Sequence, residues 1–132
     1  LALRDQFRLP GGQVARALTP LPGIAERGLT CGAVTGPLMA LGLVFGRGEG
    51  RLEDWEAYQR SLAPAGTFCD RFEQFYGTLD CHGVQKEQFG RCYRLTDPGE
   101  LRQFQADGAT DHCSEVVRNA VSMAASIILE EG

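Results

Sequence analysis

Apolar positions in this chain recur at helical spacing. Leu52, Trp55, Tyr58 and Leu62 line one face of a helical repeat, and Phe68, Phe72, Phe75 and Tyr76 continue it. Pro64 and Gly66 stand inside that stretch, so the pattern over Leu52–Tyr76 predicts a kink or two helices. The run from Cys31 to Phe45 is apolar almost throughout and predicts a helix, with Thr30 placed as its N-cap. Leu1–Phe7 reads as the end of a helix stopped by Pro10-Gly11-Gly12, and Gln13–Leu18 as a short one stopped by Pro20 and Pro22. Asp97-Pro98 opens a helix through Leu101 and Phe104, with proline at its first position. The last helix is expected from about Cys113 to Leu129, with Asp111 or Cys113-Ser114 at its start. Residues 20–30 and Gly77–Gly83 read as loops, Val84–Phe89 as one helical turn, and Cys92–Thr96 as irregular. The predicted fold is all-α, a compact helical bundle of about five to six helices. It forms one domain over residues 1–132, with a glycine-rich loop before the Cys31 helix.

Gly32, Gly36 and Ala40 recur every four residues, as do Ala120 and Ala124. Such smooth stripes let helix backbones approach closely, so the Cys31 helix and the last helix are expected to touch. If both start at the same end, Cys31 and Cys113 meet there. The competing reading is that these small residues only fill a tight core.

Composition narrows the function. At 132 residues and 43% apolar, the chain suits one domain with a real core. A net charge of −4 with scattered arginines excludes a basic nucleic-acid surface. No apolar stretch reaches the ~18 residues that a membrane span needs. The run from Cys31 to Phe45 comes nearest and carries Pro37 and three glycines. No secretory signal is visible. The chain opens at Leu1, without an initiator methionine and inside a helical pattern, so further residues are expected upstream. No paired carboxylates, phosphate loop or nucleophile elbow is present, and the glycine-rich stretches follow no strand.

The chemistry lies in the cysteines: Cys31, Cys69, Cys81, Cys92 and Cys113. The count is odd and no C-x-x-C pair occurs, which argues against a secreted disulfide scaffold, a thioredoxin motif and a zinc ribbon. The thiols read as reactive or metal-binding in a cytoplasmic protein. Cys31, at the start of a helix, faces unpaired backbone N–H groups and the positive end of the dipole, which favour thiolate. Cys113 is expected at another helix start, beside His112, and Cys81 in a loop beside His82. Cys92 is a candidate ligand on the irregular segment, whereas Cys69, among Phe68 and Phe72, reads as core. His82 and His112 are candidate metal ligands or thiol activators, or surface histidines without a role. Position 78 is Thr78, which argues against a covalent c-type haem at Cys81-His82.

The run Cys31-Gly32-Ala33-Val34-Thr35-Gly36, followed by Leu38-Met39-Ala40-Leu41-Gly42-Leu43, resembles the signature of the C_GCAxxG_C_C family, whose members are classed as redox-active. Cys81, after Phe72-Glu73-Gln74-Phe75-Tyr76-Gly77-Thr78, matches the family's next cysteine, and Cys113, before Glu115-Val116-Val117, matches its last. The resemblance spans nearly the whole chain. The family's first cysteine falls upstream of the region aligned with Leu1. Redox or metal chemistry at Cys31, Cys81 and Cys113 is what the resemblance implies.

Three functions compete. In the first, Cys31, Cys81, Cys92 and Cys113 bind a metal, foremost an iron–sulfur cluster for electron transfer, with zinc ranked lower. The set would be completed by the upstream cysteine, by a histidine, or across a homodimer. In the second, Cys31 is the redox thiol and pairs reversibly with Cys81 or Cys113, serving a redox partner protein. The third is a non-catalytic helical interaction module with a structural metal or none.

Overall fold

A computed structural model describes residues 1–131, and its regular structure is helical. Among the described residues seven right-handed helices form: α1 (Ala2–Phe7), α2 (Val14–Leu18), α3 (Gly32–Phe45), α4 (Trp55–Tyr76), α5 (Cys81–Phe89), α6 (Pro98–Ala106) and α7 (Ala109–Glu131). A single 3-10 turn, Glu49–Arg51, links α3 to α4. The all-α bundle is therefore as the periodicity predicts.

Caps explain where the longer elements begin and end. The Asp54 carboxylate accepts from the Ala57 N–H at 2.8 Å and starts α4. Gly77, at φ 76°, ends it by donating to the Glu73 carbonyl. Asp97 caps α6 by accepting from the Glu100 N–H at 2.9 Å, with Pro98 at the first helical position. Pro64 and Gly66 do not divide α4. Ala57, Pro64, Phe68, Phe72 and Tyr76 are all buried on that one helix, and this packing outweighs the single backbone hydrogen bond that proline removes.

The main core lies where α3, α4 and α7 meet. Phe68, Phe72, Leu41, Val34, Val116 and Ile127 are shut off from solvent there. α4 and α7 run antiparallel. Asn119 Nδ2 donates to the hydroxyl of Tyr76, the last residue of α4, at 2.8 Å, and Arg71, five residues earlier on α4, pairs with Glu130, later on α7, at 3.1 Å. α3 and α7 pack directly, as their small-residue stripes predict, with Ala40, Ala120 and Ala124 buried in the shared core. Gly36 is not a point of closest approach. A Cβ there would meet nothing, because Gly36 borders a shallow groove beside Val117 and Val121. A second, smaller cluster gathers Tyr93, Phe104 and Ala109 with Phe89, Leu95 and Cys113.

Three boundaries differ from expectation, and each moves a cysteine. α7 starts at Ala109, so Cys113 lies in its second turn rather than at its start. Asp107-Gly108 is the tight junction between α6 and α7. α5 starts at Cys81, so Cys81 is the first residue of a helix rather than a loop residue. Gly83, which reads as a loop signal, serves packing instead: a Cβ there would come closer than 3.0 Å to the Thr78 side chain. Cys31, rather than Thr30, is the N-cap of α3.

The segment before Cys31 departs furthest from a plain loop. Gly23, Ile24, Ala25 and Glu26 all have positive φ, between 52° and 62°, and make one left-handed turn. Left-handed backbone costs a non-glycine residue about 1–2 kcal/mol. Hydrogen bonds hold the turn in place: Ala25 N–H to the Pro20 carbonyl, and Gly23 N–H to the Thr30 carbonyl, each at 2.8 Å.

Candidate functional site

A two-segment clasp builds the site. Thr30 and Asp80 form an antiparallel bridge immediately before α3 and α5. The Cys31 N–H donates to the Leu79 carbonyl at 2.9 Å, and the Cys81 N–H to the Leu29 carbonyl at 2.6 Å. Thr30 and Asp80 are thus the non-hydrogen-bonded pair, and Cys31 and Cys81 are diagonal neighbours on the other face. One helix start carries Cys31 and the adjoining one carries Cys81. The bridge continues into Gly28, whose carbonyl accepts from the His82 N–H at 3.1 Å. Gly28, at φ 79°, has the His82 ring stacked where a side chain would be.

Cys31, Cys81 and Cys113 line a single cleft of about 350 Å³. Its walls are largely apolar, with Pro22, Ala33, Val84, Phe89, Phe104 and Val116 among them. Three polar side chains border it: Glu26, Gln85 and Gln88. Gln85 is almost fully buried, and its amide ties two parts of the site together. Nε2 donates to Cys81 Sγ at 3.3 Å, while Oε1 accepts from the Tyr93 N–H at 2.8 Å.

The electrostatics reverse the expectation for Cys31. Burial pushes its thiol above the ordinary value. The N–H groups of Ala33 and Val34 at the start of α3 pull the other way, as a helix N-terminus should, but desolvation wins and the Glu26 carboxylate adds to the rise. Burial also raises Cys81, and negative charge at Cys31, Glu26 and Cys113 raises it further, to about 12, against the hydrogen bond from Gln85. Cys113 is raised by burial, then by charge at Cys31 and Glu26. All three thiols are therefore protonated at neutral pH, and charge at Cys31 opposes ionisation of both Cys81 and Cys113.

The remaining candidates lie elsewhere. Cys92 is exposed, outside the cleft lining, and its thiol contacts the His82 carbonyl oxygen at 3.4 Å. Cys69 packs against the main core, as expected. His82 covers Gly28, and His112 stacks edge-on against Phe89 at 4.8 Å. Neither histidine lines the cleft. Among the described residues no group of three or more His, Cys, Asp or Glu side chains is arranged to hold a metal ion.

Two site residues were not singled out from the sequence. Gln85 lies four residues after Cys81 and so shares its helix face, a signal that becomes readable only once α5 is known to begin at Cys81. Glu26 reaches the cleft through the left-handed turn, which no local pattern announces.

The arrangement of the cleft cysteines and the helix opened by Cys31-Gly32-Ala33 agrees with a family profile described as "Putative redox-active protein (C_GCAxxG_C_C)", which matches residues 1–127. The chain belongs to the C_GCAxxG_C_C family. Its description assigns redox activity to the family as a whole, and the match takes in all three cleft cysteines. No curated protein and no solved structure matches the chain. Among the described residues no helix is long and apolar enough to cross a membrane.

Proposed function

We propose that this C_GCAxxG_C_C protein is a thiol–disulfide redox protein in which Cys31 and Cys81 cycle between dithiol and disulfide. The observation that carries this reading is the clasp. It fastens two cysteines at adjoining helix starts, on one face, over one cleft. Oxidation forms the Cys31–Cys81 bond, releases two protons and passes two electrons to a disulfide, which is reduced to two thiols. Cys31 is the attacking group, because only its sulfur is met by two helix-start N–H groups. Cys81 then displaces the partner's sulfur from Cys31. Regular diagonal pairs sit about 7–8 Å apart, and a disulfide spans at most about 7 Å between Cα atoms. Oxidation therefore draws the two helix starts slightly together.

The second reading, an iron–sulfur cluster for electron transfer, has the convergence of three thiols in its favour. The lack of a metal-holding group among the described residues weighs against it. It requires a further ligand from Cys92, from upstream, or from a second copy of the chain.

One preparation separates the two readings. Protein purified without oxygen is assayed for iron and acid-labile sulfide, then oxidised mildly, alkylated and mapped by peptide mass. A Cys31–Cys81 bond that forms reversibly, in metal-free protein, is the expected result. Stoichiometric iron and sulfide, lost in the Cys31→Ser variant, would overturn the disulfide reading in favour of the cluster. A bond from Cys31 to Cys113 would overturn the assignment of Cys81.

A further inference from the structure

The cleft also says what kind of molecule exchanges with the thiols. Its walls are apolar, and Glu26 is the only carboxylate on its lining among the described residues. Glu26 ends the left-handed turn Gly23–Glu26, which is fixed by the Pro20 and Thr30 carbonyls, and it lines the cleft. Among the described residues no arginine, lysine or histidine lines the cleft to receive an anion. A volume of about 350 Å³ lies at the small end of ligand pockets, which run to about 1,000 Å³.

Resting on the disulfide reading above, we propose that the redox partner of Cys31 and Cys81 is a small, uncharged, largely apolar dithiol–disulfide couple, and that Glu26 turns away anionic couples. An incoming thiolate attacks Cys31 Sγ. The Cys31–Cys81 bond breaks, and Cys81 leaves and takes up a proton. The partner's second thiol, losing its proton, displaces Cys31 from the mixed disulfide. The protein disulfide gains two electrons and two protons, and the partner dithiol becomes a cyclic disulfide.

Dihydrolipoamide and dihydrolipoate make a matched probe, since they share the dithiol and differ only in a terminal amide or carboxylate. Oxidised full-length protein is mixed with each, and reduction of the Cys31–Cys81 bond is followed by alkylation and mass. A carboxylate repelled at about 10 Å near a protein surface is disfavoured roughly tenfold, and salt screens the effect. The amide is therefore expected to react about tenfold faster in low salt. The ratio should fall towards one in Glu26→Gln and also in native protein at high salt. Equal rates in native protein would overturn the proposal. So would a ratio that neither Glu26→Gln nor salt moves. Failure of both dithiols, where a phosphine reduces the same bond, would show that the cleft does not take such couples. If oxidation never forms the Cys31–Cys81 bond, it is the parent reading that falls, and this inference falls with it.

Discussion

Replacing Gly28 with alanine tests the clasp directly. Gly28 has φ 79°, and a Cβ there would come closer than 3.0 Å to Cε1, Nδ1 and Nε2 of His82. Two costs follow. Left-handed backbone costs alanine about 1–2 kcal/mol more than glycine. The methyl also has to push the imidazole away, which disturbs the His82 N–H to Gly28 carbonyl hydrogen bond, worth about 1 kcal/mol, and the ring's packing. Together they put Gly28→Ala at about 3 kcal/mol destabilising. Gly28→Ala combined with His82→Ala removes the clash but keeps the backbone term, so the extra cost over His82→Ala alone should fall to about 1–2 kcal/mol. Urea unfolding of the four proteins gives the cycle, with an unchanged slope as the check on two-state behaviour. Because Gly28, Leu29 and Thr30 lead straight into Cys31, Gly28→Ala should also slow formation of the Cys31–Cys81 bond under a fixed oxidant. A Gly28→Ala cost of less than about 1 kcal/mol would refute the reasoning. So would a cost that His82→Ala leaves undiminished, because the imidazole would then not be the obstacle.

The core and the thiols give further checks. Phe72 is fully buried between α4 and its neighbours, so Phe72→Ala should cost about 3–5 kcal/mol, read from the denaturation midpoint. In alkali the sign follows from Cys81. Its thiol is pushed up to about 12 from 9.0, so between those values the folded chain holds a proton that the unfolded chain has lost. Stability therefore falls as pH rises through that window, and Cys81→Ser should flatten the decline in a pH series of unfolding curves.

Much of this architecture is legible in the chain because the long helices carry redundant signals. α4 shows a repeating aromatic face and a Gly77 stop, although its Asp54 cap sets the start at Trp55 rather than Leu52; α6 shows Asp97-Pro98. The misread boundaries share a cause, which is that glycine and aspartate have more than one use. Gly83 reads as a breaker, yet it sits in α5 to admit Thr78. Asp107-Gly108 does end α6, but α7 follows at once from Ala109 rather than from about Cys113. The three cleft cysteines could be picked out by motif and context. Their companions could not, because Glu26 and Gln85 depend on a left-handed turn and on tertiary contacts that local propensity does not encode. The same limit made Cys92, His82 and His112 candidates in the sequence, although none of the three lines the cleft.

Cys31 shows why a helix start does not by itself make a reactive thiolate. The two amides of α3 act on the sulfur as expected. However, the apolar walls of the cleft strip water from the anion, and Glu26 opposes the same charge. A thiol held in this way reacts slowly with water-borne oxidants and anionic disulfides. On the proposed cycle, exchange should speed up when a partner enters the cleft and its sulfur is presented beside the α3 amides, which stabilise negative charge on Cys31. If the proposed cycle holds, burial trades general reactivity for selectivity, and the partner's charge, rather than its redox potential alone, should govern the rate at Cys31.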